Sequence, residues 1–284
     1  MLNAKIVGGV VGLVLFTAVA AAAASGPVYQ APRTYYLALG DSMAYGIQPD
    51  KVKAGLPPSG FRTGYVDVFA ARLRARAPRI RVVNFGCPGE STRTFIAGGC
   101  PWLADGLRLH DAFKGSQLGA ALAFLKAHHG QVGPITLTLW GNDVFDEFAP
   151  ACKGDLACIR SHATAGIGRF GARLASIVGR LRGAAPDAEI ILTGAWNFDV
   201  EGLARSEPLF RSIDATIARV AGAARARVAR MYPVFDPPGS PARQKARICA
   251  LTFVCSQGDP HPTDAGYRAM AAAFLAASGY ARHP

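Results

Sequence analysis

The sequence predicts an α/β domain, a parallel sheet covered by helices on both faces. Three observations carry this. Short apolar runs rich in β-branched residues alternate five times with longer stretches of helical periodicity. Half of the 284 residues are hydrophobic, which supplies a sizeable core. No low-complexity tract or long polar linker divides the chain, so a single globular domain is expected.

The N-terminus reads as a targeting segment. Lys5 gives a positive start, residues 6–19 form an uninterrupted weakly apolar run, and residues 20–24 offer small side chains for a cleavage site. A signal peptide is expected over residues 1–24, with the domain over 25–284. The rival reading is a retained membrane anchor, since the apolar run approaches spanning length. No later segment is long and apolar enough to span a membrane.

The first strand is expected over residues 34–39, where an apolar run stops at Gly40. A helix follows over 64–77, with Val66, Val68, Phe69 and Leu73 along one side. The second strand is 80–85, rich in β-branched residues. A long loop carries Gly86, Pro88, Gly89, Gly98, Gly99 and Pro101. A helix over 116–129 ends at Gly130 and Gly133-Pro134, and the third strand is 135–140. A long helix over 159–183 leads to the fourth strand, 189–193. A helix over 207–224 leads to the fifth, 227–234. A short helical piece over 242–251 and a last helix over 264–277 complete the chain.

The chain carries a formal charge of +12. Its arginines are scattered, as at Arg72, Arg74, Arg76, Arg219, Arg225 and Arg230, in the manner of solvated helix faces. A weak attraction to an anionic cell envelope follows from such a charge. No nucleic-acid motif accompanies it. The chain also lacks the G-x-G-x-x-G and P-loop patterns, so no nucleotide or flavin is expected.

Six cysteines after a targeting segment point to disulfides in an oxidising compartment. Proximity in sequence suggests Cys87–Cys100, Cys152–Cys158 and Cys249–Cys255. No cysteine–histidine cluster has zinc-ligand spacing.

Four loops concentrate the reactive residue types. Gly40-Asp41-Ser42 follows the first strand, where a serine is either a nucleophile on the sheet rim or a helix cap. Gly86-Cys87-Pro88-Gly89-Glu90 follows the second strand, and Trp140-Gly141-Asn142-Asp143 the third. The last loop, Gly258-Asp259-Pro260-His261, precedes the final helix. A serine hydroxyl needs a base, and His261 is the best-placed histidine. A tetrahedral intermediate needs fixed donors. The backbone N–H of Gly89, the Asn142 amide and the backbone N–H of Ser42 would supply them.

These four blocks resemble the GDSL family of the SGNH hydrolase superfamily, with Ser42, Gly89, Asn142 and His261 in the family's order. The resemblance spans Ala38 to Tyr267. It implies a three-layer α/β/α sandwich with a five-stranded parallel sheet, the flavodoxin-like SGNH hydrolase fold. It also implies ester hydrolysis through an acyl-serine, with no metal or cofactor. Ser42 would be the nucleophile and His261 the general base and then acid. Ser42, Gly89 and Asn142 would form the oxyanion hole.

Three departures stand out. Met43 replaces the leucine of the family name, and Trp140 occupies a position where glycine is usual. The family often has an aspartate three residues before the histidine, where this chain has Gly258. Asp259 is then the candidate triad acid, and a Ser–His dyad is the alternative. The leading expectation is a secreted or periplasmic carboxylic ester hydrolase, an esterase or lipase, acting as a monomer on lipid or small esters. A sugar O-acetyl esterase, an acyltransferase and a non-catalytic lipid- or glycan-binding relative are the alternatives.

Overall fold

The computed structural model describes residues 26–278 and Tyr280. The expected signal peptide, residues 1–24, lies outside the described residues. The first strand, β1 (Tyr35–Gly40), leads to two short helices, α1 (Ser42–Tyr45) and α2 (Pro49–Lys53), and then to α3 (Tyr65–Leu73). β2 (Arg81–Asn84) is followed by α4 (Thr92–Ala97), α5 (Pro101–Ala104) and α6 (Gln117–Ala127). β3 (Val132–Thr138) runs into a π-helical turn, Asp143–Phe148, and the long α7 (Leu156–Ala184). β4 (Ile190–Thr193), α8 (Leu203–Ala223) and β5 (Arg227–Ala229) follow. The short α9 (Tyr232–Phe235), α10 (Pro241–Leu251) and α11 (Val254–Gln257) precede the final α12 (Asp264–Ala277).

The five strands form one sheet in the order β2-β1-β3-β4-β5, and every pair is parallel. α3 packs with α12, and α6, α7 and α8 pack in succession, giving the expected helical layers around the sheet. Such a sheet is covered on both faces, so its strands read as continuous apolar runs. Leu37, Ile135, Ile190 and Ile191 are fully buried accordingly. A small second cluster of Tyr45, Ile47, Phe61 and Leu109 forms around the Cys87–Cys100 disulfide.

Some boundaries differ from those expected. β3 begins at Val132 rather than 135, because Gly133-Pro134 does not end the preceding segment but lies inside the strand. Proline has no N–H to give a neighbour, and the β1–β3 register shifts there by a residue. α8 starts at Leu203, so Pro208 lies inside it as the sixth helical residue, past the first turn, where the Ala204 carbonyl loses its usual i+4 donor. β5 is three residues long, and much of the apolar run after it folds as α9. All three local disulfides are present: Cys87–Cys100, Cys152–Cys158 and Cys249–Cys255.

β1 is the point where the chain reverses its order across the sheet, with β2 on one side and β3 on the other. Ligands of open α/β sheets bind beyond the carboxyl ends of the strands at such a point. β1 ends there at Gly40, and Ser42 follows.

Candidate active site

Ser42 is the first residue of α1, and Asp41 is its N-cap. Asp41 Oδ1 accepts the Met43 N–H at 3.0 Å and the Thr138 hydroxyl at 2.9 Å. Asp41 therefore bolts the start of α1 to β3. Burial pushes its carboxyl up to about 6, against these hydrogen bonds and the nearby His261. Gly40 must be glycine: its φ is +125°, and a Cβ would run into the Thr138 carbonyl. As the first helical residue, Ser42 has a backbone N–H with no partner within the helix.

Gln117, from the start of α6, brackets the same turn. Its side chain accepts the Gly40 N–H at 2.6 Å and donates to the Gly40 carbonyl at 2.9 Å. It also donates to Glu90 Oε2 at 2.9 Å. Burial pushes the Glu90 carboxyl up to about 7. The amide thus couples the serine turn to the loop that carries Gly89.

That loop is braced in several ways. The Asn84 side chain accepts the Gly86 N–H and donates to the Ala44 carbonyl. The Cys87–Cys100 bridge closes the segment. Gly89 has φ +83°, and a Cβ there would crowd Pro101 at 3.0 Å. Asn142 uses one amide hydrogen on the Glu90 carbonyl at 2.9 Å, which orients the group and leaves its second hydrogen to donate elsewhere. Asp143, fully buried, accepts the Thr92 N–H at 2.9 Å and the Thr92 hydroxyl, tying this turn to the start of α4. Burial pushes the Asp143 carboxyl up to about 6.

His261 arrives from the far end of the chain. Its carbonyl accepts from the Phe253 N–H, and the Thr263 N–H donates to the Leu251 carbonyl, so the loop is pinned to the α10–α11 turn that the Cys249–Cys255 bridge closes. Gln48 reaches Asp264 at 2.8 Å, and the Tyr267 hydroxyl donates to the Ile47 carbonyl at 2.7 Å. These bonds dock the loop against the segment after Ser42. His261 Nε2 then lies 2.8 Å from Ser42 Oγ. On the other side, His261 Nδ1 lies 2.6 Å from Asp259 Oδ1, which also accepts the His261 backbone N–H at 2.8 Å. Burial alone would raise the Asp259 carboxyl, but the hydrogen bond and charge of His261 outweigh it and hold the group below the ordinary aspartate range. An ionised Asp259 only accepts, so Nδ1 carries the proton and Nε2 presents its lone pair to the serine.

All five residues named from the sequence, Ser42, Gly89, Asn142, Asp259 and His261, line one groove. The groove holds a hydroxyl, a base within hydrogen-bond reach of it and an acid bonded to the base, with Gly89 and Asn142 on its lining. This is what acyl transfer through serine requires. Trp102, Trp140, Phe145, Trp196 and Phe198 line the cavities at the site, whereas Phe85, Phe95 and Phe148 belong to the core. Asn197 turns away to the Leu203 carbonyl. His110 bonds the Tyr45 carbonyl and lies tilted against the Tyr45 ring. Among the described residues, two clusters have metal-like proximity. Each contains a cysteine pair whose sulfurs are already bonded to one another.

The supporting roles of Gln117, Glu90 and Thr138 were not anticipated. Gln117 sits in a different block of sequence from Gly40, and its type alone signals nothing. Glu90 lies beside Gly89, but nothing local marks it as buried.

The sequence profile of the GDSL-like lipase/acylhydrolase family matches residues 38–269. No match by sequence is found among curated proteins. The fold is similar to that of an alpha/beta hydrolase enzyme from the metagenome of Lake Arreo, Spain, at 22% identity and a TM-score of 0.58, covering 89% of this chain and 98% of that one. It is also similar to phospholipase A1 from Streptomyces albidoflavus, at 18% identity and a TM-score of 0.58, covering 86% and 99%. An acetylxylan esterase from Geobacillus stearothermophilus matches at 19% identity and a TM-score of 0.55, covering 87% and 95%.

Proposed function

The chain belongs to the GDSL-like lipase/acylhydrolase family, and from that premise we propose that it is an exported serine hydrolase that cleaves carboxylic esters through an acyl-serine intermediate. The observation that carries this reading is the unbroken hydrogen-bond chain from Ser42 through His261 to Asp259. In the proposed reaction His261 Nε2 takes the Ser42 proton as Oγ attacks the ester carbonyl carbon. Negative charge gathers on the carbonyl oxygen and is met by N–H groups of Ser42, Gly89 and Asn142. His261 then gives its proton to the leaving alcohol oxygen. A water, deprotonated by the same ring, releases the acid and restores the serine. Asp259 keeps the proton on Nδ1 and stabilises the imidazolium formed in both steps.

Export is supported by the three disulfides, which persist in oxidising compartments. Among the described residues no helix is long and apolar enough to cross a membrane. A monomer with weak attraction to an anionic envelope belongs to the same proposal, the latter supported by the charge of +12. A second reading is an esterase of O-acetylated sugars. Trp102 in the groove beside Ser42 favours it, because an indole ring offers a face on which a sugar can stack.

The test is hydrolysis of p-nitrophenyl esters from acetate to palmitate, with labelling by a fluorophosphonate probe, for the mature protein and Ser42→Ala. Hydrolysis and labelling should both vanish in the variant. Activity that survives the substitution would refute the serine mechanism. Acetate release from acetylated xylooligosaccharides, in preference to the p-nitrophenyl series, would select the second reading.

A further inference from the structure

Two cavities meet at Ser42, both largely apolar, and they differ in size and exposure. The first, of about 200 Å³, is bounded by Trp140, Trp196, Phe145, Phe198 and Pro260. The second, of about 510 Å³, runs over Gly89 and Pro101 past Val52, Lys53 and Asp105. Val52 is 39% exposed, and lysine and aspartate keep their charged heads in water, so this groove opens to solvent.

An acyl-enzyme reaction needs such an asymmetry. After the first step the acyl group stays bonded to Ser42 Oγ, whereas the alcohol must leave and a water must arrive. The open groove suits the traffic. The aromatic cavity suits an apolar chain that has no need to exit.

We infer that the aromatic cavity is the acyl site and that Phe145, with Phe198 and Pro260, forms its end wall, restricting the enzyme to short and medium acyl chains. The inference rests on the serine-hydrolase reading above. The restriction follows from volume. An apolar cavity of about 150 Å³ holds one benzene ring, so the cavity beside Ser42 accommodates about six to eight carbons. Beyond the wall lies an outer cavity of about 490 Å³, which Phe145, Phe198 and Pro260 also line. A longer chain would have to pass where the Phe145 and Phe198 rings meet, with centroids 5.6 Å apart. Phe198 is buried and held by Trp140 and Phe210. Phe145 is only half-buried and belongs to the π-helical turn that follows Asn142, so the turn that positions the amide also sets the depth of the pocket.

The test is the chain-length profile of kcat/KM on p-nitrophenyl esters. Each methylene buried on the way to the transition state contributes about fourfold, or about 0.8 kcal/mol. The profile should climb from acetate to a maximum at about six to eight carbons and then fall. Phe145→Ala joins the two cavities and should raise the ratio of laurate to hexanoate by about tenfold or more. Phe145→Trp should move the maximum the other way, which a general loosening of the fold would not do. An unchanged profile in both variants would overturn the inference, as would a wild-type maximum at acetate or palmitate. Fluorophosphonate labelling of Ser42 in that same sample would show that the serine mechanism still stands. Absence of both labelling and hydrolysis would overturn the serine-hydrolase reading and this inference with it.

Discussion

Replacing Asp259 by alanine removes two hydrogen bonds that converge on one oxygen, from the ring Nδ1 at 2.6 Å and the backbone N–H of His261 at 2.8 Å. A hydrogen bond to a charged group is worth about 1.5–3 kcal/mol. About 1.4 kcal/mol is a factor of ten in rate. Loss of the ring contact alone should therefore lower kcat/KM by about 10- to 150-fold. The charge on Asp259 matters most when the imidazolium forms, so the loss should fall on kcat rather than KM. Asp259→Asn loses the charge and brings an NH2 that can donate to Nδ1, which favours the tautomer with its proton on Nε2, so its defect should be at least as large. The assay is steady-state hydrolysis of a p-nitrophenyl ester, alongside thermal melts to establish that both variants are folded. A folded Asp259→Ala enzyme within about twofold of wild type would refute the reasoning. The shift of the acid to the position after Gly258 would then be a loss of triad function, and the Ser–His pair would act as a dyad.

Asn142→Ala removes a side-chain donor while leaving Ser42 and His261 in place. It should lower kcat by about 10²- to 10³-fold with little change in KM, measured on the same ester. Glu90→Gln should change how stability depends on pH. The folded pKa of Glu90, about 7, lies above its ordinary value of 4.5, so the folded state keeps a proton that the unfolded chain releases. That contribution is full below about pH 4.5 and is lost as pH rises through about 7. The glutamine variant does not titrate and can still bond Gln117, so its gain in Tm over wild type should be larger at pH 8 than at pH 5. Equal differences at the two pH values would show that Glu90 is not the titrating group.

Much of the architecture is legible in the sequence because it follows from periodicity. Parallel strands buried on both faces, such as β1 and β4, must be continuous apolar runs, and amphipathic helices such as α3 must repeat their apolar faces. The disulfide pairs were legible for a similar reason, since each closes a short loop. The errors fell where tertiary contacts override local preference. Pro134, read as a terminator, lies inside β3, and α8 starts at Leu203, four residues ahead of the expected 207, with Pro208 in its interior. The apolar run expected to extend the fifth strand serves the core better as the short helix α9.

The site divides along the same line. Ser42, Gly89, Asn142, Asp259 and His261 could be named in advance because each lies in a loop whose residue types suit the chemistry. Their meeting at one groove, and the Asp259–His261 contact that favours a triad over a dyad, depend on how the last loop docks against Ile47 and Gln48. The Gln117 bracket on Gly40, the burial of Glu90 and Asp143, and the Phe145 wall belong to tertiary structure alone. Sequence pattern determined which elements form and which groups are chemically able, because those depend on local spacing and side-chain type. Only the packed structure decided which groups meet, because hydrogen bonds, burial and cavity volume arise between segments far apart in the chain.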